Sequence, residues 1–482
     1  MLKDTFSRRS FVAGAGSLAV SPYASPLLAA EAKPNIVFIL ADDLGYADLS
    51  VYGRREYETR NIDGLARQGM RFTQAYSNSS VCSPTRFALI TGRYQYRLRG
   101  GLEEPIRGPS DAVGLPPSHP TLPSLLKRAG YATALFGKWH LGFLPDYSPL
   151  KSGYDEFFGN FGGAVDYFSH RSDNAQSGSK DLYEGEVPVE KTGYYTQLLA
   201  DRAVEYLGRK HQEPFFLSMH FTAPHWPWEG PKDEHASKKV RDIQHPDGGS
   251  LATYAEMVLA LDAAVGRILA ELKARGIDQN TLVILTSDNG GERFSDNWPF
   301  SGQKAELLEG GIRVPAIVRW PARVKPRVTD QVAITMDWLP TLLASAGGSV
   351  DPNYPSDGDS LLPTLLNQRE PYDRTLYWRY KWQSQRAVRS GNFKYLRINS
   401  NEFLFDLSND ARERANLAAA NPGKVKELGA AWDLWNTQMI PITDDVFSGG
   451  PGSSRQADHY FASPPVAPSA RPSATTEPSL PK

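Results

Sequence analysis

Five runs of five to eight mostly apolar residues recur along the first two thirds of the chain: Asn35–Ala41, Tyr131–Phe136, Pro214–Phe221, Thr281–Thr286 and Ala316–Trp320. None alternates cleanly with polar residues, so each predicts a strand buried on both faces. Helical spacing fills the gaps between them. Asn61–Gly69 reads as a helix closed by glycine, and Leu122, Leu125, Leu126 and Ala129 form a stripe ended by Gly130. Tyr195–Leu207 is another helix, and Val258, Leu261, Val265, Ile268, Leu269 and Leu272 form a long stripe ended by Gly276. Strand-then-helix alternation from residue 35 to about 345 predicts an α/β fold, a mostly parallel sheet flanked by helices. The stretch Gly153–Gly193 has no clean period and reads as long loops, either over a ligand face or simply connecting.

Past Pro352 the texture changes. Short alternating runs at Thr375–Tyr380, Gln385–Val388, Phe393–Leu396 and Glu402–Asp406 predict a small C-terminal antiparallel sheet, followed by a helix over Lys424–Met439. From Ser448 onward Gly, Pro, Ser and Ala dominate, as in a disordered tail. The expected partition is a leader over 1–32, a large domain over 33–352, a small α+β domain over 353–445 and a tail over 446–482.

With 482 residues, 40% hydrophobic and 22% charged, the chain can bury a large core. Its formal net charge of -1 excludes global attraction to nucleic acid or an anionic membrane, so any anion must be held by a local cluster. Ser7-Arg8-Arg9-Ser10-Phe11-Val12, the apolar run to Val20 and the Ala30-Glu31-Ala32 cleavage pattern resemble a twin-arginine export signal. That run is shorter than the ~20 residues of a membrane span, and no stable insertion is expected. The expected location is periplasmic or secreted. One cysteine, Cys82, permits no intrachain disulfide, which suits export of an already folded protein.

Chemistry collects just beyond the apolar runs. Asp42 and Asp43 follow the first, Lys138 and His140 the second, and Asp288 and Asn289 the fourth. His225 follows the third, between Pro224 and Pro227. In open α/β sheets ligands bind outside the carboxyl ends of the strands, so these segments can share one crevice. Four oxygen-bearing side chains, three of them carboxylates, make a hard site suited to Ca²⁺, with Mg²⁺ as the alternative. Trp226 and Trp228 can stack on a ring-bearing substrate or cover the core edge. Pro84 predicts a constrained turn presenting Cys82, with the Arg86 cation beside the sulfur.

The twelve residues Cys82-Ser-Pro-Thr-Arg-Phe-Ala-Leu-Ile-Thr-Gly-Arg93 resemble the signature of the type I sulfatases, of the arylsulfatase and N-acetylgalactosamine-6-sulfatase kind. The resemblance implies an alkaline-phosphatase-like fold with a small C-terminal domain. It implies that a separate maturation enzyme oxidises Cys82 to formylglycine, an aldehyde that acts as nucleophile once hydrated. It also implies a divalent cation, usually calcium, held by Asp42, Asp43, Asp288 and Asn289 with the residue at Cys82. The substrate would be a small-molecule or oligosaccharide sulfate ester. Lys138 and Lys304 would carry the charge on the sulfate oxygens, His225 would protonate the leaving oxygen, His140 would act as base, and Arg86 would orient the nucleophile. Two other readings use the same residues: a phosphonate monoester or phosphodiester hydrolase, and a non-catalytic binder of sulfated glycans.

Overall fold

The computed structural model describes residues 33–172, 176–243 and 248–450; the expected leader and the tail beyond Gly450 lie outside the described residues. The strands of the large sheet are β1 (Asn35–Ala41), β2 (Met70–Tyr76), β3 (Ala132–Lys138), β4 (Glu156–Asn160), β5 (Tyr183–Glu184), β6 (Val187–Pro188), β7 (Phe215–His220), β8 (Thr281–Ser287), β9 (Arg313–Arg319), β10 (Arg327–Thr329) and β11 (Ala333–Ile334). Between them run α1 (Arg60–Arg67), α2 (Cys82–Thr91), α3 (Leu122–Arg128), α4 (Tyr195–Gly208), α5 (Glu234–Ser237), α6 (Leu251–Ala274) and α7 (Glu309–Ile312), with α8 (Trp338–Ser345) and α9 (Leu362–Leu365) after them.

Alternation along β1 explains the layers. Val37 and Ile39 point into one apolar cluster with Ile62 of α1, Leu199 of α4 and Leu261 and Val265 of α6. Ile36, Phe38 and Leu40 point the opposite way, onto Phe87 of α2, Leu126 of α3 and Leu342 of α8. Each such fully buried side chain contributes roughly 1.5–3 kcal/mol, which is why β1 must be apolar on both faces.

The sheet order is β10-β2-β9-β8-β1-β7-β3-β4-β5-β6, with β11 also paired to β2. β8, β1, β7, β3 and β4 run parallel, while β9 is antiparallel to both β8 and β2. Register aligns the ends, with Ala41 opposite Ser287, Leu40 opposite His220, and Gly137 opposite His220. The polar segments that follow these strands therefore leave the sheet along one edge. Close approach there requires glycine: Gly137 has φ +117, and a Cβ on it would sit 1.8 Å from the carbonyl oxygen of His220.

Six strands of this sheet were not legible in the pattern: β2, β4 and the two- or three-residue β5, β6, β10 and β11. β2 and β4 each carry polar or glycine residues at alternate places, and β4 lies within the stretch expected to be loop. Its Phe157 and Phe158 are buried, and pairing with β3 supplies the order that the sequence texture conceals.

The C-terminal elements match the expectation: β12 (Thr375–Tyr380), β13 (Gln385–Ser390), β14 (Phe393–Ile398) and β15 (Asn401–Asp406) form an antiparallel sheet in consecutive order, followed by α10 (Pro422–Asn436). The buried Trp378 ring donates from Nε1 to the Ser77 carbonyl at 2.8 Å, joining this sheet to the segment before α2. Lys394 Nζ lies 3.0 Å from Glu309 and 2.9 Å from Glu413, with all three side chains fully buried. Glu309 also accepts from Tyr76 at 2.6 Å and from Arg313 at 3.1 Å. Residues 446–450, expected to begin the tail, are instead packed: Val446 is buried and the Gly449 N–H donates to the Glu104 carbonyl at 2.7 Å.

Removing one partner of a buried ion cluster strands the others. Lys394→Met should therefore cost about 3–5 kcal/mol in denaturant unfolding, and a loss below about 1 kcal/mol would contradict a stabilising role for this cluster.

Candidate active site

Cys82 is the first residue of α2, so the stretch expected to be a turn is the opening of a buried ten-residue helix. The difference matters for chemistry. Helical spacing puts Arg86, four residues on, over the same face as the thiol. The helix opens without a side-chain cap and ends at Gly92 in the left-handed conformation, and its first residue, at the partially positive end, lies beside Asp42 and Asp43 at the strand edge.

At that edge three carboxylates meet three cations. Lys138 Nζ donates to Asp42 Oδ2 at 2.5 Å, and Lys304 Nζ donates to Asp43 Oδ2 at 2.6 Å. Arg86 donates to Asp288 Oδ2 from Nε at 3.1 Å and from Nη2 at 2.8 Å, and from Nη1 to the Lys138 carbonyl at 3.0 Å. Asn289 Nδ2 donates to Asp43 Oδ1 at 2.7 Å. All seven residues are buried. Asp43 and His140 hold φ of 60° and 58°, unusual for residues other than glycine, and Asp43 is held there by its N–H donating to Asp288 Oδ1.

Burial penalises the Asp43 carboxylate, but Lys304, His225 and the bond from Asn289 outweigh that penalty and hold it below its usual range. Asp288 goes the other way, raised by burial and by the Asp42 charge against the pull of Arg86. Lys304 is held well above its usual value because Asp43 and Glu292 overcome its desolvation. Burial pushes the Cys82 thiol up to about 11, despite Lys138 and Lys304, so an unmodified thiol here is protonated at neutral pH and a weak nucleophile.

The two sequence-identified histidines take distinct orientations. His225 shares its Nδ1 proton with the Trp226 carbonyl at 2.6 Å, leaving Nε2 toward Asp43 Oδ2 at 3.6 Å. His140 bonds the Ile106 carbonyl through Nε2 at 2.8 Å, leaving Nδ1 buried without a partner. Burial holds both imidazoles well below their usual range, and the Lys304 and Lys138 charges respectively add to the effect.

Of the two tryptophans, only Trp226 is partly exposed, its ring 4.3 Å from that of His225. Trp228 is buried against Phe294 at 5.1 Å between ring centroids, so it covers the core rather than stacking on a substrate. Sequence reading missed two neighbours. His220 lies 3.4 Å from Arg86 Nη1, hidden within an apolar strand run, and the Tyr167 hydroxyl donates to the His225 carbonyl at 2.9 Å from the irregular stretch.

Asp42, Asp43, Cys82 and His225 place one ligand atom each within 4.8 Å of one another. Asp42 Oδ1 and Asn289 Oδ1 are buried with no hydrogen-bond partner, and unpartnered oxygen donors among carboxylates fit a hard divalent cation. Asp288 lies outside that four-residue group, with its oxygens turned to Arg86 and the Asp43 N–H.

An open α/β sheet carrying such a site is suited to holding an anionic ester beside a divalent cation. The Sulfatase family profile matches residues 34–349, and the profile for the C-terminal part of N-sulphoglucosamine sulphohydrolase matches 302–429. The chain belongs to the sulfatase family, and that membership together with the cluster at Cys82 makes it a sulfuric-ester hydrolase. It is 37% identical over 396 residues to N-acetylgalactosamine-6-sulfatase of Rattus norvegicus, covering 76% of this chain and 72% of the relative. To arylsulfatase A of Homo sapiens it is 32% identical, covering 83% and 86%. The solved structure of Ps i-CgsB in complex with k-i-k-neocarrahexaose superposes with a TM-score of 0.76 at 31% identity, covering 86% of this chain and 95% of that one.

Calcium added to chelator-stripped protein should raise its melting temperature, by an amount equivalent to about 2.7 kcal/mol at a hundredfold excess over Kd. Asn289→Leu, which removes an unpartnered oxygen, should blunt the rise. No response to calcium or magnesium would contradict the cation reading.

Proposed function

We propose that this sulfatase removes sulfate from carbohydrate sulfate esters, with artificial aryl sulfates also accepted, after export by a twin-arginine signal. The carrying observation is the sole cysteine at the head of α2, set among Asp42, Asp43 and the buried ammonium groups of Lys138 and Lys304. Sugar as the carrier of the sulfate is supported by the N-acetylgalactosamine-6-sulfatase relatives, by the k-i-k-neocarrahexaose bound to the structural neighbour, and by the partly exposed Trp226 ring beside His225. The leader at 1–32 lies outside the described residues and supports export by its sequence alone.

A hydrated aldehyde derived from Cys82 would supply an oxygen nucleophile with a second hydroxyl for release of sulfate, and a cation held by Asp42, Asp43, Asp288 and Asn289 would supply positive charge to the sulfate oxygens. Lys138 and Lys304 add two fixed charges in a buried site, where they act more strongly than in water. His225 commits its Nδ1 proton to the Trp226 carbonyl, so Nε2 is the atom that would protonate the leaving oxygen, once the negative charge of a bound sulfate ester offsets the burial and the Lys304 charge that keep the free imidazole neutral. His140, with Nε2 committed to Ile106, offers the Nδ1 lone pair as the base. Arg86 holds Asp288, and Asp288 in turn holds the turn at Asp43. Burial of these groups excludes bulk water from the reacting atoms.

Rates on a 6-sulfated N-acetylgalactosamine, a carrageenan oligosaccharide, an aryl sulfate, a phosphonate monoester and a phosphodiester separate the alternatives. A sulfated sugar should give the highest kcat/KM, and a phosphoryl preference would overturn the reading. Cys82→Ala should abolish turnover while leaving the melting temperature within a few degrees; sustained turnover would exclude Cys82 as the source of the nucleophile.

A further inference from the structure

Lys304 is the one pocket cation carried on neither a strand nor a regular helix, and its loop makes an unfavourable turn. Ala305, the next residue, has φ +70 without being glycine. Such a conformation persists only where the surroundings over-determine it. From the large sheet's side, the Lys304 N–H donates to the Gly291 carbonyl at 3.1 Å and the Ala305 N–H to the Ser80 carbonyl at 2.9 Å. The Glu306 N–H closes the turn on the Gln303 carbonyl at 3.0 Å, which leaves the Ala305 carbonyl and the Leu307 N–H to be met from the C-terminal sheet. There Gln385, the first residue of β13 and only 2% exposed, brackets the loop with one amide. Its Oε1 accepts from the Leu307 N–H at 2.9 Å, and its Nε2 donates to the Ala305 carbonyl at 3.1 Å and to the Trp382 carbonyl at 3.3 Å. Further along, Glu309 is tied to Lys394 of β14 by the buried ion pair already described.

Resting on the sulfate-binding role assigned to Lys304, we infer that Gln385 is a positioning residue for the reaction: the C-terminal sheet completes the sulfate pocket by clamping the Lys304 loop. Both protons and one acceptor face of the Gln385 amide are used, so no water or rotamer change can substitute without leaving the Ala305 carbonyl or the Leu307 N–H buried and unpaired. Relief of that penalty would let Ala305 leave the left-handed region. The loop would then shift and draw Nζ from its place 2.6 Å from Asp43. The role is one of placement, since Gln385 bonds the loop backbone rather than Lys304 Nζ.

The test is a double-mutant cycle on the purified holoenzyme, with inorganic sulfate as the probe and calorimetric Kd as the readout. Gln385→Met should weaken sulfate binding about tenfold, in line with loss of one or two buried hydrogen bonds. Lys304→Ala should weaken it at least as much, and Gln385→Met should add little in the Lys304→Ala background because the two act through one group. Gln385→Glu keeps the acceptor for Leu307 and removes the donor to Ala305, and serves if the methionine variant does not fold. An equal fold-loss in both backgrounds, or a lower melting temperature with sulfate affinity unchanged, would assign Gln385 to fold stability alone and overturn the inference. Unchanged affinity in Lys304→Ala would overturn it too, and with it the sulfate-binding role of Lys304.

Discussion

The site depends on buried opposite charges held in near balance. Asp42, Asp43 and Asp288 leave the sheet side by side, and three carboxylates cannot stay ionised in a dry interior without compensation. Arg86, Lys138 and Lys304 provide it, each from a different segment. A divalent cation held by these carboxylates would tip the pocket positive, which is what a sulfate monoester requires of its host. The same arrangement pushes the thiol of an unmodified Cys82 above its usual range, because the pocket is too dry, and too evenly balanced, to favour a thiolate. The proposed conversion to an oxygen nucleophile would answer a problem that these surroundings create.

Geometry at this edge rests on backbone positions that ordinary residues avoid. Asp43 and His140 are left-handed because their amides and side chains are fastened to Asp288, Phe161 and Ile106. Gly137 is bare because the chain passes too close to His220 for any Cβ. The fold concentrates such strain where the reacting groups must point, and sets it on strands whose ends are aligned by register. The small C-terminal sheet belongs to the same logic, through Gln385 on one side of Ala305 and Lys394 beneath Glu309.

Much of this was legible in the sequence because strands buried on both faces leave unbroken apolar runs, and the chemistry follows each run directly. β1, β7 and β8 fall within a residue or two of their expected bounds, and the polar residues beyond them meet at one edge, Asp42, Asp43 and His225 beside Cys82, Lys138 on Asp42, and Lys304 and Asn289 on Asp43. What stayed hidden had a physical cause. β2 and β4 carry too few consecutive apolar residues to stand out, and their order comes from pairing with neighbours. In the helix that opens at Cys82 the next residues are Ser83 and Pro84, which read locally as a turn although proline is tolerated in a first helical turn. Trp228 is covered by Phe294, some sixty-six residues on, and Gln385 reaches Ala305 from another sheet; contacts across such separations leave no local signal.

The most direct test of the central claim is the mass of the Cys82 peptide in active protein purified from its own host. An aldehyde in place of the thiol, at an occupancy that tracks specific activity across preparations, is the expected result. Full sulfatase activity in protein whose Cys82 is wholly unmodified thiol would contradict the account.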